Sequence, residues 1–158
     1  MTDLLAVPCM AGTTALTVWV ARLRLQAIAD PFVMHPWGSP GITPADVRRA
    51  YERGHFQPNE PEKQASLGRR GADHVARIAH LMRQGWTDPL QLDVGIPELG
   101  DRPDQVVQDG FHRLAAAIVL DKPWVYVDIA GSATQARHLL GPFHQHEPRT
   151  APRLSWHR

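Results

Sequence analysis

The sequence has a single cysteine, Cys9, and only two lysines among its 17 basic residues. One cysteine cannot form a disulfide within the chain, and it excludes a structural zinc cluster built on several thiolates. A reducing, cytoplasmic setting is therefore the expected localisation. The shortage of lysine indicates a GC-rich coding bias more than a preference for the bidentate phosphate contacts of arginine.

Long apolar runs and a strong charge of one sign are also missing. The apolar segment at residues 4–20 is interrupted by Pro8 and Gly12, so we predict neither a signal peptide nor a transmembrane helix. The formal net charge of +1 excludes a surface that is basic throughout but allows a local basic patch. With 158 residues, 43% of them hydrophobic, the chain is long enough for one core. We predict a single domain over residues 1–142.

Hydrophobic patterning in the first part of the chain predicts a strand, a long connection and a helix. Residues 16–25 alternate as a half-buried strand would, with Arg22 and Arg24 on the polar side. Residues 31–43 contain three prolines and two glycines, which are typical of a long connection. Thr43 is an N-cap before Pro44, and Gly54 ends that helix. Its buried stripe is predicted to be Val47, Ala50 and Tyr51.

The middle of the chain contrasts a polar segment with a strongly periodic one. Residues 57–72 have almost no large apolar side chain, which predicts a mobile loop. Asp73 is then expected to cap a helix that ends at Gly85. The apolar face of this helix is formed by Val75, Ile78, Ala79 and Met82.

The rest of the chain alternates strands and helices. Residues 90–96 predict a strand closed by Pro97, and Val106 and Val107 predict a short one before a tight turn. A helix over residues 112–120, a strand over 124–130 and a helix from Ser132 to Leu140 follow. Residues 143–158 lack periodicity and are interpreted as an extended arm or disorder. The fold class indicated is α+β.

The segment Asp109-Gly110-Phe111-His112-Arg113 carries the strongest chemical signal. A strand leads through a glycine turn to a helix N-terminus, where free amides and the positive end of the dipole favour an anion. Arg113 offers a planar fork for phosphate oxygens, and His112 can donate a hydrogen bond or a proton. Gly110 would allow a ligand close to the backbone. The alternative is structural: Asp109 caps the helix, Gly110 serves the turn, and His112 and Arg113 are solvated.

The run VVQDGFHRLAAAIVLDKPWVYVDIAGS resembles the C-terminal half of the ParB/sulfiredoxin fold. It is most similar to small phage and plasmid proteins described as ParB-like nuclease domains, whose hallmark reads DGNHRLAAA. With the preceding segment from HVARIAHLMRQGW to IPELG, the resemblance covers residues 73–141. It implies a small mixed sheet with packed helices and a nucleotide phosphate bound at the turn, as in sulfiredoxin and the free-serine kinases of this fold.

Carried over by position, the resemblance points to Asp109, Gly110, His112 and Arg113, with Phe111 where relatives usually have Asn or His. Sulfiredoxin has its reactive cysteine at the position of Phe111, so sulfinic acid reductase chemistry is excluded. Partition proteins use a Gly-Glu-Arg-Arg version and a downstream helix-turn-helix domain. The short segment after the last helix therefore argues against a complete partition protein.

Other candidates are weaker. His74 is a possible lining residue of the nucleotide pocket, and Asp93 a general base or metal carboxylate, although a solvated histidine and a half-exposed strand aspartate are the commoner interpretations. His144, His146 and Glu147 have spacing suited to a transition metal, but an unstructured tail is the usual reading. No metal site is assigned. The tryptophans are interpreted as core or loop anchors rather than as a base-stacking platform.

These observations support three functional hypotheses. The first is a nucleotide- or nucleic-acid-binding ParB-like domain of a mobile element acting as a phosphohydrolase, either an NTPase (an ATPase, for example) or a DNA nuclease. ATP or CTP with Mg²⁺ would be its ligand, Asp109 or Asp93 would orient water or the metal, and His112 and Arg113 would act on the phosphate. The second is a non-catalytic DNA- or protein-binding module, and the third, a serine-type metabolite kinase, depends on fold analogy alone. The formation of a homo-oligomer is an alternative that the sequence leaves open, and no membrane partner is expected. In the second hypothesis, arginine side chains would contact the DNA or protein partner. These residues are Arg22, Arg24, Arg48, Arg49, Arg69, Arg70, Arg149, Arg153 and Arg158.

Overall fold

The fold was analysed in a computed structural model that describes residues 4–5, 16–38, 41–61 and 67–150. Within these ranges, helices pack on a mixed sheet, which confirms the predicted α+β class. The strands are β1 (Leu4–Leu5), β2 (Leu16–Ala21), β3 (Leu90–Asp93), β4 (Val107–Asp109) and β5 (Trp124–Ser132). The helices are α1 (Arg22–Ala29), α2 (Pro31–Met34), α3 (Pro44–Glu52), α4 (Leu67–Gln84), α5 (Phe111–Val119) and α6 (Ala133–Leu140), with a 3-10 turn at Pro97–Leu99.

Strand β5 is the centre of the sheet. β2 runs antiparallel to β5, with Trp19 opposite Tyr126, and β1 pairs with the end of β5. β3 lies parallel to β5 on the opposite edge, and β4 runs antiparallel to β3. The spatial order is therefore β4, β3, β5, β2. Among the helices in the described ranges, none has the length and apolar character needed to cross a membrane.

Two apolar clusters hold the helices in place. The first joins one face of the sheet to α1, α5 and α6, and includes Val20, Leu25, Leu114, Val127 and Leu140. The second joins α3, α4 and the small side chains of α5, and includes Val47, Ile78, Ala115 and Ala116. Helix α5 belongs to both clusters, so its N-terminus is fixed from two sides.

The strand predicted over residues 16–25 is correct only as far as Ala21, and its continuation through Leu23 and Leu25 is wrong. Residues 22–29 form α1 instead, because Leu25 and Ala29, four residues apart, bury one helical face. Arg22 is buried rather than on a solvated side. Its Nε donates to the Lys122 carbonyl at 2.9 Å and its Nη2 lies 2.6 Å from Asp121 Oδ1.

Helix α3 begins and ends as the sequence predicts. Thr43 Oγ1 accepts from the Asp46 amide at 3.2 Å, and Asp46 Oδ2 accepts from the Thr43 amide at 2.8 Å. Gly54 adopts φ +69° just after the helix. Tyr51, predicted to be buried, is 42% exposed, so only Val47 and Ala50 form the buried stripe. The preceding connection contains the short helix α2, whose Phe32 amide donates to the Asp30 carboxylate at 2.9 Å.

Helix α4 is longer than the sequence indicates. It begins at Leu67, so residues 67–72 are not loop and Asp73 lies inside the helix instead of capping it. A helix extends past its buried stripe because backbone hydrogen bonds propagate it once it is nucleated. Val75, Ile78 and Ala79 are buried as predicted, and Gly85 follows the last turn with φ +73°. Residues 62–66 of the predicted loop lie outside the described residues.

Strand β3 is shorter than predicted, because it ends at Asp93 rather than Ile96. Gly95 has φ +71°, and a side chain there would collide with the Asp101 carbonyl. The predicted alternation persists, since Val94 and Ile96 are buried. The other predicted elements lie within two residues of their predicted bounds, whereas β1 was not predicted. Ser132 Oγ accepts from the Gln135 amide at 3.3 Å to cap α6.

The C-terminal segment returns to the sheet as far as it is described. The backbones of Trp19 and His144 exchange hydrogen bonds of 2.7 and 3.0 Å. Trp124 Nε1 donates to the Thr150 carbonyl at 2.9 Å. Residues 143–150 thus border β2 and β5, and residues 151–158 lie outside the described residues.

Candidate functional site

The site is built on the turn between β4 and α5. Gly110 adopts φ +109° at the helix N-cap, and a Cβ atom there would lie 2.8 Å from Leu90 Cγ. Glycine is required at this position because the turn packs directly on β3 and has a left-handed backbone. This packing explains why position 110 is glycine without reference to any ligand.

His112 lies at the start of α5 and is only 9% exposed. Its Nε2 is 2.8 Å from Nδ1 of His74, which is also buried, on α4. Its Nδ1 is 3.0 Å from Glu60 Oε2, in the loop before α4. Two imidazoles and one carboxylate therefore form a continuous polar chain, which we call the His74–His112–Glu60 chain. His74, predicted as a pocket residue, is brought to His112.

Trp37 covers this chain. Its ring lies 4.7 Å from that of His112 and 5.4 Å from that of His74, with interplanar angles of 15° and 23°. Phe111 meets the edge of Trp37 at 6.5 Å and packs on the sheet core. The indole separates both imidazoles from water on one side, which lowers the local polarity around them.

Burial lowers the pKa of His112 to about 3, with further lowering from His74, Arg77 and Arg113. The Glu60 carboxylate acts in the opposite direction, but its side chain is 66% exposed and its charge is screened by solvent. We therefore assign His112 as the neutral imidazole. A carboxylate at Nδ1 requires the proton on that nitrogen, so Nδ1 donates to Glu60 and Nε2 accepts from His74.

Arg77 links the loop before α4 to the same cluster. Its Nη1 donates to the Pro58 carbonyl, and its Nε is 3.5 Å from Glu60 Oε1. The sequence places Arg77 one helical turn after His74, so their shared face is predictable. Glu60 and Trp37 were missed, because both lie in connections without periodicity and only the tertiary fold brings them to His112.

Arg113 points away from this chain. Its Nη1 donates to the carbonyls of Asp88 and Pro89 at 3.0 and 2.8 Å, and its Nη2 is 2.7 Å from Asp109 Oδ2. The guanidinium thus ties α5 to β4 and to the loop before β3. A phosphate at the turn would have to compete with these contacts for the fork.

The two candidate carboxylates are each engaged locally. Asp93 Oδ1 accepts from the Gly95 amide at 2.8 Å, and Asp109 pairs with Arg113. In the described part of the chain, no three His, Cys, Asp or Glu side chains are grouped to hold a metal ion. Asp93 and Asp109 therefore belong to no such group among the described residues, and neither do His144, His146 and Glu147.

Comparisons with protein-family models, curated proteins and solved structures find no match to this chain. The strongest feature of the candidate site is a buried, neutral histidine at a helix N-terminus, joined to a second histidine and to an exposed carboxylate.

Proposed function

We propose that this chain is a ParB/sulfiredoxin-like domain that binds a nucleotide or nucleic-acid phosphate at the start of α5 and hydrolyses a phosphoric anhydride or phosphodiester bond there. The observation that carries the proposal is the His74–His112–Glu60 chain at the N-terminus of α5. The first amides of a helix have no carbonyl partner within it, and Gly110 has no side chain to cap them. These amides and the helix dipole favour an anion beside His112.

A bound phosphate would change the protonation of His112. Its negative charge would offset Arg77 and Arg113 and raise the pKa of the imidazole from about 3. Glu60 would stabilise the imidazolium. In hydrolysis, a water oxygen would bond to phosphorus and release its proton to solvent as the bond to the leaving oxygen breaks. Both ring nitrogens of His112 are engaged, so its proton would reach the leaving oxygen through the exposed Glu60 carboxyl group at the end of the chain.

This proton uptake predicts the pH dependence of binding. Because the ligand raises the pKa of His112, the complex holds more protons than the free protein, and affinity increases as pH falls. Asp93 and Asp109 each have a local partner, so no step of hydrolysis is assigned to Mg²⁺. ATP or CTP with Mg²⁺ is the ligand class to be tested as substrate.

A second function, a non-catalytic module for an anionic partner, is favoured by one observation. A cavity of about 360 Å³ between α3 and α4 is lined in part by Arg49, Arg53 and His55, and also by Asp46, which pairs with Arg49. Arg22 was expected to contribute to such a module, but it is buried and does not form part of a basic surface. Arg69, Arg70, Arg153 and Arg158 lie outside the residues whose side chains are described. Binding through this surface would weaken steeply with salt.

The test is a thermal-shift panel with ATP, CTP, GTP and a short DNA duplex, with and without Mg²⁺. A ligand that binds only the folded state raises the melting temperature. We expect a shift with one nucleotide that grows as pH falls and is lost in Glu60→Gln, but not in Glu98→Gln, an exposed acid on the 3-10 turn. Turnover is then measured as phosphate release.

The opposite results would replace the proposal. A shift with duplex DNA alone, lost at moderate salt and unaffected by Glu60→Gln, would assign the chain to the second function. A nucleotide shift that is independent of pH would remove His112 from the binding step.

A further inference from the structure

A second pocket lies at the other end of α5. Its volume is about 250 Å³, below the range of roughly 300–1,000 Å³ typical of drug-sized ligands, so it suits a single ring system. From His112 to its last residue, Val119, helix α5 rises by about 10 Å. We call it the tryptophan pocket. Its lining residues are Trp19, Trp86, Thr87, Lys122, Trp124, Val125 and Tyr126.

The strand register assembles three of the rings. Trp19 on β2 lies opposite Tyr126 on β5, with ring centres 5.0 Å apart at 33°. Trp124 is two residues before Tyr126 and therefore projects from the same face of the sheet. It is held by the Thr150 carbonyl at 2.9 Å and by the His144 ring at 4.9 Å. The sequence separates these tryptophans widely and gives no sign that they converge.

The described lining of the tryptophan pocket carries charge of one sign, which is positive. Lys122 is the one charged residue among the described residues of the lining. Its Nζ lies 4.9 Å from the centre of the Trp86 ring, so the ammonium is held at an aromatic wall. Aromatic side chains stack with any nucleobase, and an ammonium group beside them favours a ligand that carries a negative charge.

We infer that the tryptophan pocket binds a planar aromatic group that carries a negative charge, the chemistry of a nucleobase with its phosphate. The ring stacks on Trp86 and the sheet aromatics, and the anionic group pairs with Lys122. This inference goes beyond the proposed function, because the pocket contains no residue of the site at the start of α5. The ligand is either a free nucleotide or a nucleotide of a single strand.

Tryptophan fluorescence measures this binding directly, because three tryptophans line the pocket. The probes are AMP, a short single strand of deoxyadenosine, adenosine without charge, and inorganic phosphate without a ring. We expect saturable quenching by AMP or by the single strand, weaker binding of adenosine, and none by phosphate. Equal affinity for AMP and the strand indicates a free nucleotide, whereas binding of the strand alone indicates single-stranded nucleic acid.

Two variants test the assignment. Lys122→Gln removes the charge from an exposed side chain and should weaken binding about fivefold, whereas Arg102→Gln, an exposed basic residue on another loop, should not. Trp86→Leu should weaken it by roughly fivefold or more. Far-UV circular dichroism checks that Trp86→Leu is folded, and Lys122→Gln decides the question if it is not.

Glu60→Gln separates this inference from the proposed function. Quenching that persists in Glu60→Gln and falls in Lys122→Gln supports the tryptophan pocket whether or not the α5 site binds phosphate. Absence of quenching by both AMP and the single strand overturns the inference. Equal affinities in wild type and Lys122→Gln also overturn it.

Discussion

His112 and Arg113 are neighbours in the sequence, yet the fold gives them different surroundings. His112 is 9% exposed and joins His74 and Glu60 beneath Trp37. Arg113 instead bonds the carbonyls of Asp88 and Pro89 and the Asp109 carboxylate. Successive residues of a helix are about 100° apart, so two adjacent residues cannot face the same partner.

The comparison changes how the Asp-Gly-Phe-His-Arg segment is interpreted. The sequence predicts that His112 and Arg113 bind one phosphate together. In the structure, His112 belongs to the His74–His112–Glu60 chain on one side of α5. Arg113 links α5 to β4 and to the loop before β3 on the other side. The proposed ligand-binding role therefore falls to the His112 side, whereas the contacts of Arg113 are structural. Gly110, the glycine that precedes both residues, is where a single substitution would disturb both sides.

Gly110→Ala should have the largest effect, because it disturbs both sides at once. The left-handed backbone and the contact with Leu90 should together lower the free energy of unfolding by roughly 2–6 kcal/mol. Urea unfolding followed by circular dichroism measures this change. Gly85→Ala is the matched control, because Gly85 also has positive φ but faces open space, and it should cost about 1–2 kcal/mol. Equal losses in the two variants would contradict the packing role of Gly110.

The neutral state of His112 should make stability depend on pH. In the unfolded chain its pKa returns to the ordinary 6.5, whereas in the folded state it is about 3. The unfolded state therefore binds a proton that the folded state excludes, and the free energy of unfolding falls as pH decreases from 6.5 toward 3. The expected loss is about 1.4 kcal/mol per pH unit.

Two variants isolate this contribution. His112→Phe should reduce the slope between these pKa values by about 1.4 kcal/mol per pH unit. A smaller part should remain from groups such as His80, whose pKa is also lowered by burial. His138→Asn, an exposed histidine on α6, should leave the slope unchanged. An unchanged slope in His112→Phe would mean that His112 is charged in the folded protein. The assigned direction of the hydrogen bonds to Glu60 and His74 would then be wrong.

The parts of the fold that the sequence predicted are those with local causes. The Thr43 cap, the apolar stripe of α4 and the turn before α5 depend on neighbouring residues, and the structure has all three. The errors lie where tertiary contacts compete with a local pattern. Arg22 ends β2 because its guanidinium is buried against residues about a hundred positions away, Lys122 and Asp121, which no local pattern reveals.

In the candidate site, too, the residues with local sequence patterns were predicted and those placed by tertiary contacts were not. His112 and Arg113 are visible as a motif, and His74 with Arg77 as a helical spacing. Glu60 and Trp37 are not visible, because they come from connections whose composition indicates only loop. A site assembled from two helices and two connections can be predicted from sequence only in its helical part.

Arg113→Ala should destabilise the fold moderately. It leaves the carbonyls of Asp88 and Pro89 without their described side-chain donor, which should cost about 1–3 kcal/mol. Arg49→Ala, which removes an exposed ion pair with Asp46, should cost less than about 1 kcal/mol. The same unfolding measurement applies. If Arg113→Ala were fully stable yet lost nucleotide binding, the roles of the two sides would have to be exchanged.

Glu60→Gln should have the smallest effect on stability and the most specific one on the site. Glu60 is 66% exposed, so the free energy of unfolding should change by no more than about 0.5 kcal/mol. The carboxylate is, however, the acceptor that fixes the proton on His112 Nδ1. Nitrogen NMR of the imidazole should show the Nδ1–H tautomer in the wild type and a mixture of tautomers in Glu60→Gln. Because stability would be preserved, any loss of ligand affinity in this variant would report on the polar chain itself and not on the fold.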